Sequence, residues 1–185
     1  MTRPKTDRIP SYDECLALIA QHGMLENIKE HSILVMKVAR ALAEGLRPGT
    51  PVSVPLVVAG ALLHDITKTR ALVSHEPHDK TGEELLRSIG MFSVGKVVGD
   101  HVEIDDFDPD GPLTESEIVH YADKRVKHSS VVPLLERIDD LIVRYATSDE
   151  HRQRILEKIP FNRALEKKIQ ANLAGDIEET IRGAQ

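Results

Sequence analysis

In the stretch ALLHDITKTR, Ala61 to Arg70, the adjacent pair His64–Asp65 closes an apolar run, and Lys68 stands three residues beyond the aspartate. An imidazole nitrogen beside a carboxylate oxygen suits a divalent transition metal. The dipeptide alone does not assign one, because the chain holds nine histidines and a second such pair, His78–Asp79. What sets the first pair apart is its apolar lead-in, since charge is costly to bury unless it is paired or bound to metal. His31, His78, His101 and Asp123 join it as candidate ligands. Without cysteine among them, a closed structural zinc site is disfavoured. A site with open positions for Mn, Fe, Co, Ni or Zn, suited to chemistry on bound water, fits the set better.

Each candidate also has an ordinary reading. His31 lies on the stripe of Val35, Val38 and Leu42, where a histidine serves as a satisfied core residue. His78 fits a helix N-terminal turn, and His101 fits a surface position near an acidic loop. A salt bridge to Arg125 or Arg137 would account for Asp123. His120 and His128 match no pattern and read as surface residues.

The elements that must hold these residues read as helices with clear punctuation. Ser11 with Glu14 forms a capping box and Gly23 a stop, which predicts a helix from Tyr12 to His22. A second is expected from about Asn27 to Leu46, broken by RPGTPVS. Pro55 opens a third, PLVVAGALLHDI, whose lack of a polar face marks it as buried. The His64–Asp65 pair lies at its C-terminal end. Further helices are expected over about Pro77 to Ile89, closed by Gly90, and about Ser93 to Val102, before the acidic loop EIDDFDPDGP. Thr114 and Glu117 form another capping box for a helix carrying Tyr121 and Asp123. VPLLERIDDLIVRYA follows, and Pro160 separates two more charged helical stretches leading to Gln185. No repeat, linker or βαβ alternation is present. The expected class is all-α, with a single domain over 1–185, a core over about 10–146 and a C-terminal helical extension over 147–185.

Composition bounds the rest. The 185 residues are enough to bury a sizeable core, and 41% apolar with 29% charged residues describes an ordinary globular chain. Trp is absent and aromatics amount to 3%, so the core must be aliphatic. Lys and Arg number 24 against 30 Asp and Glu, and the net charge of −6 argues against general nucleic-acid binding. The single Cys15 fits a reducing compartment and, spaced with Tyr12, Leu16 and Ile19, a core position. The opening MTRPKTDRIPSYDEC has no apolar signal core, and the apolar run from Val54 to Leu63 is too short to span a bilayer. A cytoplasmic location without membrane association is the expectation.

Jointly, these residues resemble the HD superfamily of metal-dependent phosphohydrolases, whose signature is His … His-Asp … Asp on a helical core. His31, His64, Asp65 and Asp123 follow that order. The flanks HSILVMKVARALA, VVAGALLHDITK and LTESEIVHYADK match as well, and the likeness covers about Pro10 to Ala146. The fold it implies is a compact helical HD-domain bundle. His78, four residues before Gly82, and His101 in VVGDHVEI stand at places comparable to histidines that help hold a second metal in HD-GYP phosphodiesterases and HD-type diadenosine tetraphosphate hydrolases. His75 competes with His78 for the first of these places, and the Gly82 spacing favours His78. The resemblance thus implies one or two ions per chain. His31, His64, Asp65 and Asp123 would hold one, with Asp65 bridging to a second on His78 and His101. The chain departs from HD-GYP proteins in reading HDITK for HDIGK, Val102 after His101, and DPDGPLT in place of the GYP turn. Hydrolysis of cyclic dinucleotides is therefore not expected.

The activity so implied is hydrolysis of a phosphate ester or anhydride by metal-activated water. Asp65 would bridge the ions and orient the water. Lys68 reads either as a catalytic, phosphate-binding ammonium or as a solvated helix-end cation favoured by the helix dipole. Lys124 and Arg125 flank Asp123 as weaker phosphate-binding candidates. The acidic loop Glu103 to Asp110 would repel long polyanions, so a small nucleotide or phosphorylated metabolite is the expected partner and nucleic acid is not. Self-association is left open. The rival reading is a non-catalytic HD-type module that binds a nucleotide or partner protein for regulation.

Overall fold

The computed structural model describes residues 7–184. Gln185 and Met1–Thr6, on which much of the reading of the chain's opening rests, lie outside the described residues. The capping box at Ser11 opens α1 (Tyr12–Gln21), and Gly23, at φ 62°, turns the chain into α2 (Glu26–Glu44). With Pro55 in its first turn, α3 (Val54–Leu63) buries Val57 and every residue from Ala59 to Leu63. It ends at Leu63, earlier than its apolar pattern suggests, because His64 takes the C-cap position and the chain turns through Asp65 to Thr67. A short α4 (Lys68–Ser74) follows, unforeseen because it buries no residue and so carries no apolar stripe.

Next come α5 (His78–Ser88), α6 (Phe92–Asp100) and, after the acidic loop, α7 (Glu115–Asp123) behind its own capping box. A small antiparallel hairpin, β1 (Val126–Lys127) with β2 (Ser130–Val131), turns at His128, which is in the left-handed region at φ 54°. The chain finishes with α8 (Leu134–Tyr145), α9 (Asp149–Glu157), α10 (Ile159–Asn172) and α11 (Ile177–Arg182). Pro160 does more than separate the last charged stretches, since it sits in the first turn of α10.

The fold is helical, and α3 is its axis: α1, α2, α6 and α7 all pack against it. The core is aliphatic, as the composition requires, with Val35, Leu42, Leu62, Leu63, Val98 and Ile118 fully enclosed. α10 packs on α7 and α11 on α2, which carries the buried core on to Ile181. Cys15 is buried, and burial pushes its thiol up to about 12, which leaves it a packing residue.

The crossing of α3 and α6 is close because Gly60 has no side chain. A Cβ there would stand 2.4 Å from Val97 Cγ1. This approach brings the ends of the two helices together and sets the rings of His64 and His101 at 5.0 Å between centroids. Gly60→Ala should therefore cost about 1–3 kcal/mol by overpacking, as read from urea unfolding midpoints. A loss below about 0.5 kcal/mol, the range of ordinary surface changes, would show that the crossing is not tight.

Candidate metal centre

Two of the histidines are placed by the same device. His64 is the C-cap of α3 and His101 the C-cap of α6. Each ring reaches back one turn, where helix-end carbonyls lack intrahelical partners: His64 Nδ1 donates to Ala61 O at 2.8 Å and His101 Nδ1 to Val98 O at 2.6 Å. His31, in the second turn of α2, has its Nδ1 3.3 Å from the His128 carbonyl at the tip of the hairpin. With Nδ1 turned to a backbone carbonyl, Nε2 is the inward-facing atom, the arrangement metal-binding histidines use.

These inward atoms meet around Asp65, and its two oxygens face different neighbours. Oδ1 lies 3.1 Å from His78 Nε2 and 3.6 Å from His101 Nε2, while Oδ2 lies 3.4 Å from His64 Nε2. Asp123 Oδ1 stands 3.0 Å from His31 Nε2 and 4.0 Å from His64 Nε2. Two donor groups result, His31–His64–Asp65 and Asp65–His78–His101, each close enough to hold a metal ion. Their chemistry fits one. Among the described residues, His64 Nε2 and Asp65 Oδ1 are buried without a hydrogen-bond partner, and His78 Nε2 faces His101 Nε2 at 3.2 Å. Lone pairs at such distances repel unless a proton or a cation lies among them.

Electrostatics prepare the same atoms. Burial pushes the Asp65 carboxyl up, but His64 and Lys68 outweigh it and hold the group well below the usual carboxylate range. Burial acts alike on Asp123, where Lys124 and His31 outweigh it and hold that carboxyl well below its usual range as well. Burial brings His101 down to about 4, so its ring is neutral at physiological pH, the form that ligates metals. His64 differs: burial pulls it down, but the charges of Asp65 and Asp123 hold it above its ordinary value.

The centre opens into a cavity of about 650 Å³. Lys68 Nζ sits 2.7 Å from Asp65 Oδ2 and Lys124 Nζ 2.7 Å from Asp123 Oδ2, and both side chains line the cavity. Lys68 is thus bound to the carboxylate rather than a free helix-end cation. His75 reaches the cavity wall but neither donor group, whereas His78 enters one, in keeping with the Gly82 spacing. Arg125, expected as a phosphate-binding candidate, is corrected here. Its guanidinium is buried against Val132 O, Tyr121 Oη and Glu178, so it ties the end of α7 to α11 and does not line the cavity.

The family model for the HD domain matches residues 28–126, more than half of the sequence. The chain belongs to the HD domain family. Two relatives bear the name tRNA (cytidine(56)-2′-O)-methyltransferase. The one from Picrophilus torridus is 27% identical over 146 residues, covering 71% of this chain and 40% of its own length. The one from Thermoplasma volcanium is 32% identical over 99 residues, 53% of this chain and 28% of its own. The HD chain therefore spans less than half the length of these relatives. No solved structure matches it.

Several contacts in and around the HD domain's candidate site are not visible in the sequence. Thr67, where HD-GYP proteins have Gly, donates its hydroxyl to the His78 carbonyl at 2.7 Å and takes a hydrogen bond from Thr81. It pins the start of α5 against the His-Asp turn. Arg137, expected only as a salt-bridge partner of Asp123, also lines the cavity, with Nη2 3.8 Å from Asp123 Oδ1. His120, read as a surface residue, is 2% exposed, with Nε2 3.3 Å from Asn162 Oδ1. The Phe161 ring of α10 packs edge-on against it at 5.3 Å between centroids, a contact that no local pattern marks. His128 is exposed as read, yet its carbonyl orients His31.

Burial brings His120 down to about 3, well below the unfolded histidine value near 6.5. As pH falls below about 6.5 the unfolded chain takes up a proton that the folded chain refuses, so this residue lowers stability toward acid. It should remove about 2 kcal/mol between pH 7 and pH 5. Urea unfolding of His120→Asn at the two pH values should show a smaller loss than the wild type; equal losses would place the His120 ring in contact with water.

Proposed function

We propose that this HD domain is a metal-dependent phosphohydrolase that cleaves a phosphate ester or anhydride of a small nucleotide or other phosphorylated metabolite. The observation that carries the reading is the division of the Asp65 carboxylate between two donor groups, with a buried oxygen and a buried histidine nitrogen lacking partners. His31, His64, Asp65 and Asp123 would hold one divalent transition metal, and Asp65, His78 and His101 a second. Such ions supply Lewis-acid charge, which lowers the pKa of water and offsets charge on phosphate oxygens.

The chain's own residues do the rest. Asp65 keeps a fixed carboxylate at the centre to orient an attacking water. Lys68, Lys124 and Arg137 border the cavity beside the two ligand carboxylates and would steady the non-bridging phosphate oxygens. With the acidic loop nearby, a small phosphorylated substrate is favoured over nucleic acid. Among the described residues no helix is long and apolar enough to cross a membrane, and a cytoplasmic setting goes with this reading.

A second reading draws on the comparisons. The relatives are named for a methyl transfer, not a hydrolysis, and the match takes up a minor share of each. On that basis the domain would be a nucleotide- or partner-binding regulatory module that keeps its donor groups for ligand capture.

The two readings separate on a His64→Ala/Asp65→Ala variant. Elemental analysis of protein purified without chelator should show its metal lost, and turnover of a nucleotide and phosphodiester panel under added Mn, Co, Ni or Fe should fall at least about a hundredfold. Unchanged metal and turnover would sink the hydrolase reading. His78→Ala should release the second ion while the first stays, and retention of both would exclude His78 as a ligand.

A further inference from the structure

The cavity is built from two parts of the chain, and only one lies within the stretch that matches the family. Asp65, Lys68, His78, His101, Asp123 and Lys124 come from the matched residues. The remaining wall comes from the helices after residue 126. Arg137, Ile138, Leu141 and Tyr145 lie along one face of α8, and His151, Arg154, Ile155 and Lys158 recur at helical spacing along α9 and its end.

This wall has a chemical character of its own. Leu141 and Ile155 are half-buried and Tyr145 is 53% exposed, so the cavity keeps apolar surface facing solvent. Arg154 and Lys158 add two cations beyond those beside the ligand carboxylates. Their carboxylate partners, Glu150 and Glu103, are exposed, and such surface pairs are held only weakly. Across the whole lining, Lys68, Lys124, Arg137, Arg154 and Lys158 face three acids, Asp65, Asp123 and Glu76, of which only Glu76 stands away from the candidate metal centre, in a protein whose net charge is −6. At about 650 Å³ the space suits a nucleotide-sized ligand rather than a bare phosphate.

We propose that Arg154 and Lys158 recognise a second anionic group on the substrate, with its apolar body lying on the strip formed by Ile138, Leu141, Tyr145 and Ile155. The substrate class is then a phosphorylated compound with a base-sized apolar body and a further negative charge away from the scissile phosphate. This rests on the donor-group end of the cavity taking a phosphate. The matched residues would set the chemistry and the C-terminal helices the selectivity.

The test compares adenosine 5′-monophosphate with adenosine 3′,5′-bisphosphate, which adds one anionic group to the same body. Calorimetry on the full chain should give the bisphosphate a Kd lower by about tenfold, the effect of one charge-assisted contact set. Arg154→Gln/Lys158→Gln should erase that preference, while Arg154→Lys/Lys158→Arg should keep most of it. Both side chains are exposed, so unfolding midpoints should stay near the wild-type value. Equal Kd values in the wild type, or a preference that survives in the glutamine variant, would overturn the proposal. Hydrolysis of p-nitrophenyl phosphate is followed in parallel. Its absence would count against the hydrolase reading alone, because the calorimetric comparison needs no turnover.

Discussion

A carboxylate buried at the end of an apolar helix needs compensating charge on every side, and that requirement shapes this molecule. Asp65 is 1% exposed. It sits where α3 gives out, close to the helix carbonyls, which makes the position worse for an anion. The fold meets the requirement with His64 beside it and Lys68 one turn on, and it brings the ring nitrogens of His78 and His101, from α5 and the end of α6, up to the same carboxylate. A carboxylate with so many neighbours is fixed in orientation. Fixed orientation lets its two oxygens serve two different groups of donors.

The frame around it works by placing backbone groups. The carbonyls of Ala61 and Val98, at helix ends, each accept from the Nδ1 of a histidine ring and so orient it. The hairpin does the same for His31 through His128, whose left-handed backbone turns the carbonyl toward α2. Gly60 brings α3 and α6 near enough for the two caps to share a site. Removing any one of these supports would leave the candidate ligands present in the sequence but poorly aimed.

Much of this was legible in the sequence where the signal is local. Capping boxes at Ser11 and Thr114, glycine stops at Gly23 and Gly90, and Pro55 set helix boundaries to within a few residues. The order His31, His64–Asp65, Asp123 pointed to the family because each residue sits on a patterned helix. What stayed hidden depends on contacts between distant segments. The burial of His120 comes from α10, and the commitment of Arg125 comes from Tyr121, the hairpin and α11. Arg137 reaches the cavity only once α8 has docked. The short α4 carried too little apolar pattern to be seen.

The claim at the centre is that Asp65 joins two metal positions. Electron paramagnetic resonance of chelator-stripped protein titrated with Mn(II) tests it most directly, because ions bridged by a carboxylate couple magnetically. The account predicts two Mn per chain and the signal of an exchange-coupled pair, replaced by that of isolated ions in Asp65→Asn. A wild-type protein that saturates with one ion, or binds two with no coupling, would contradict it.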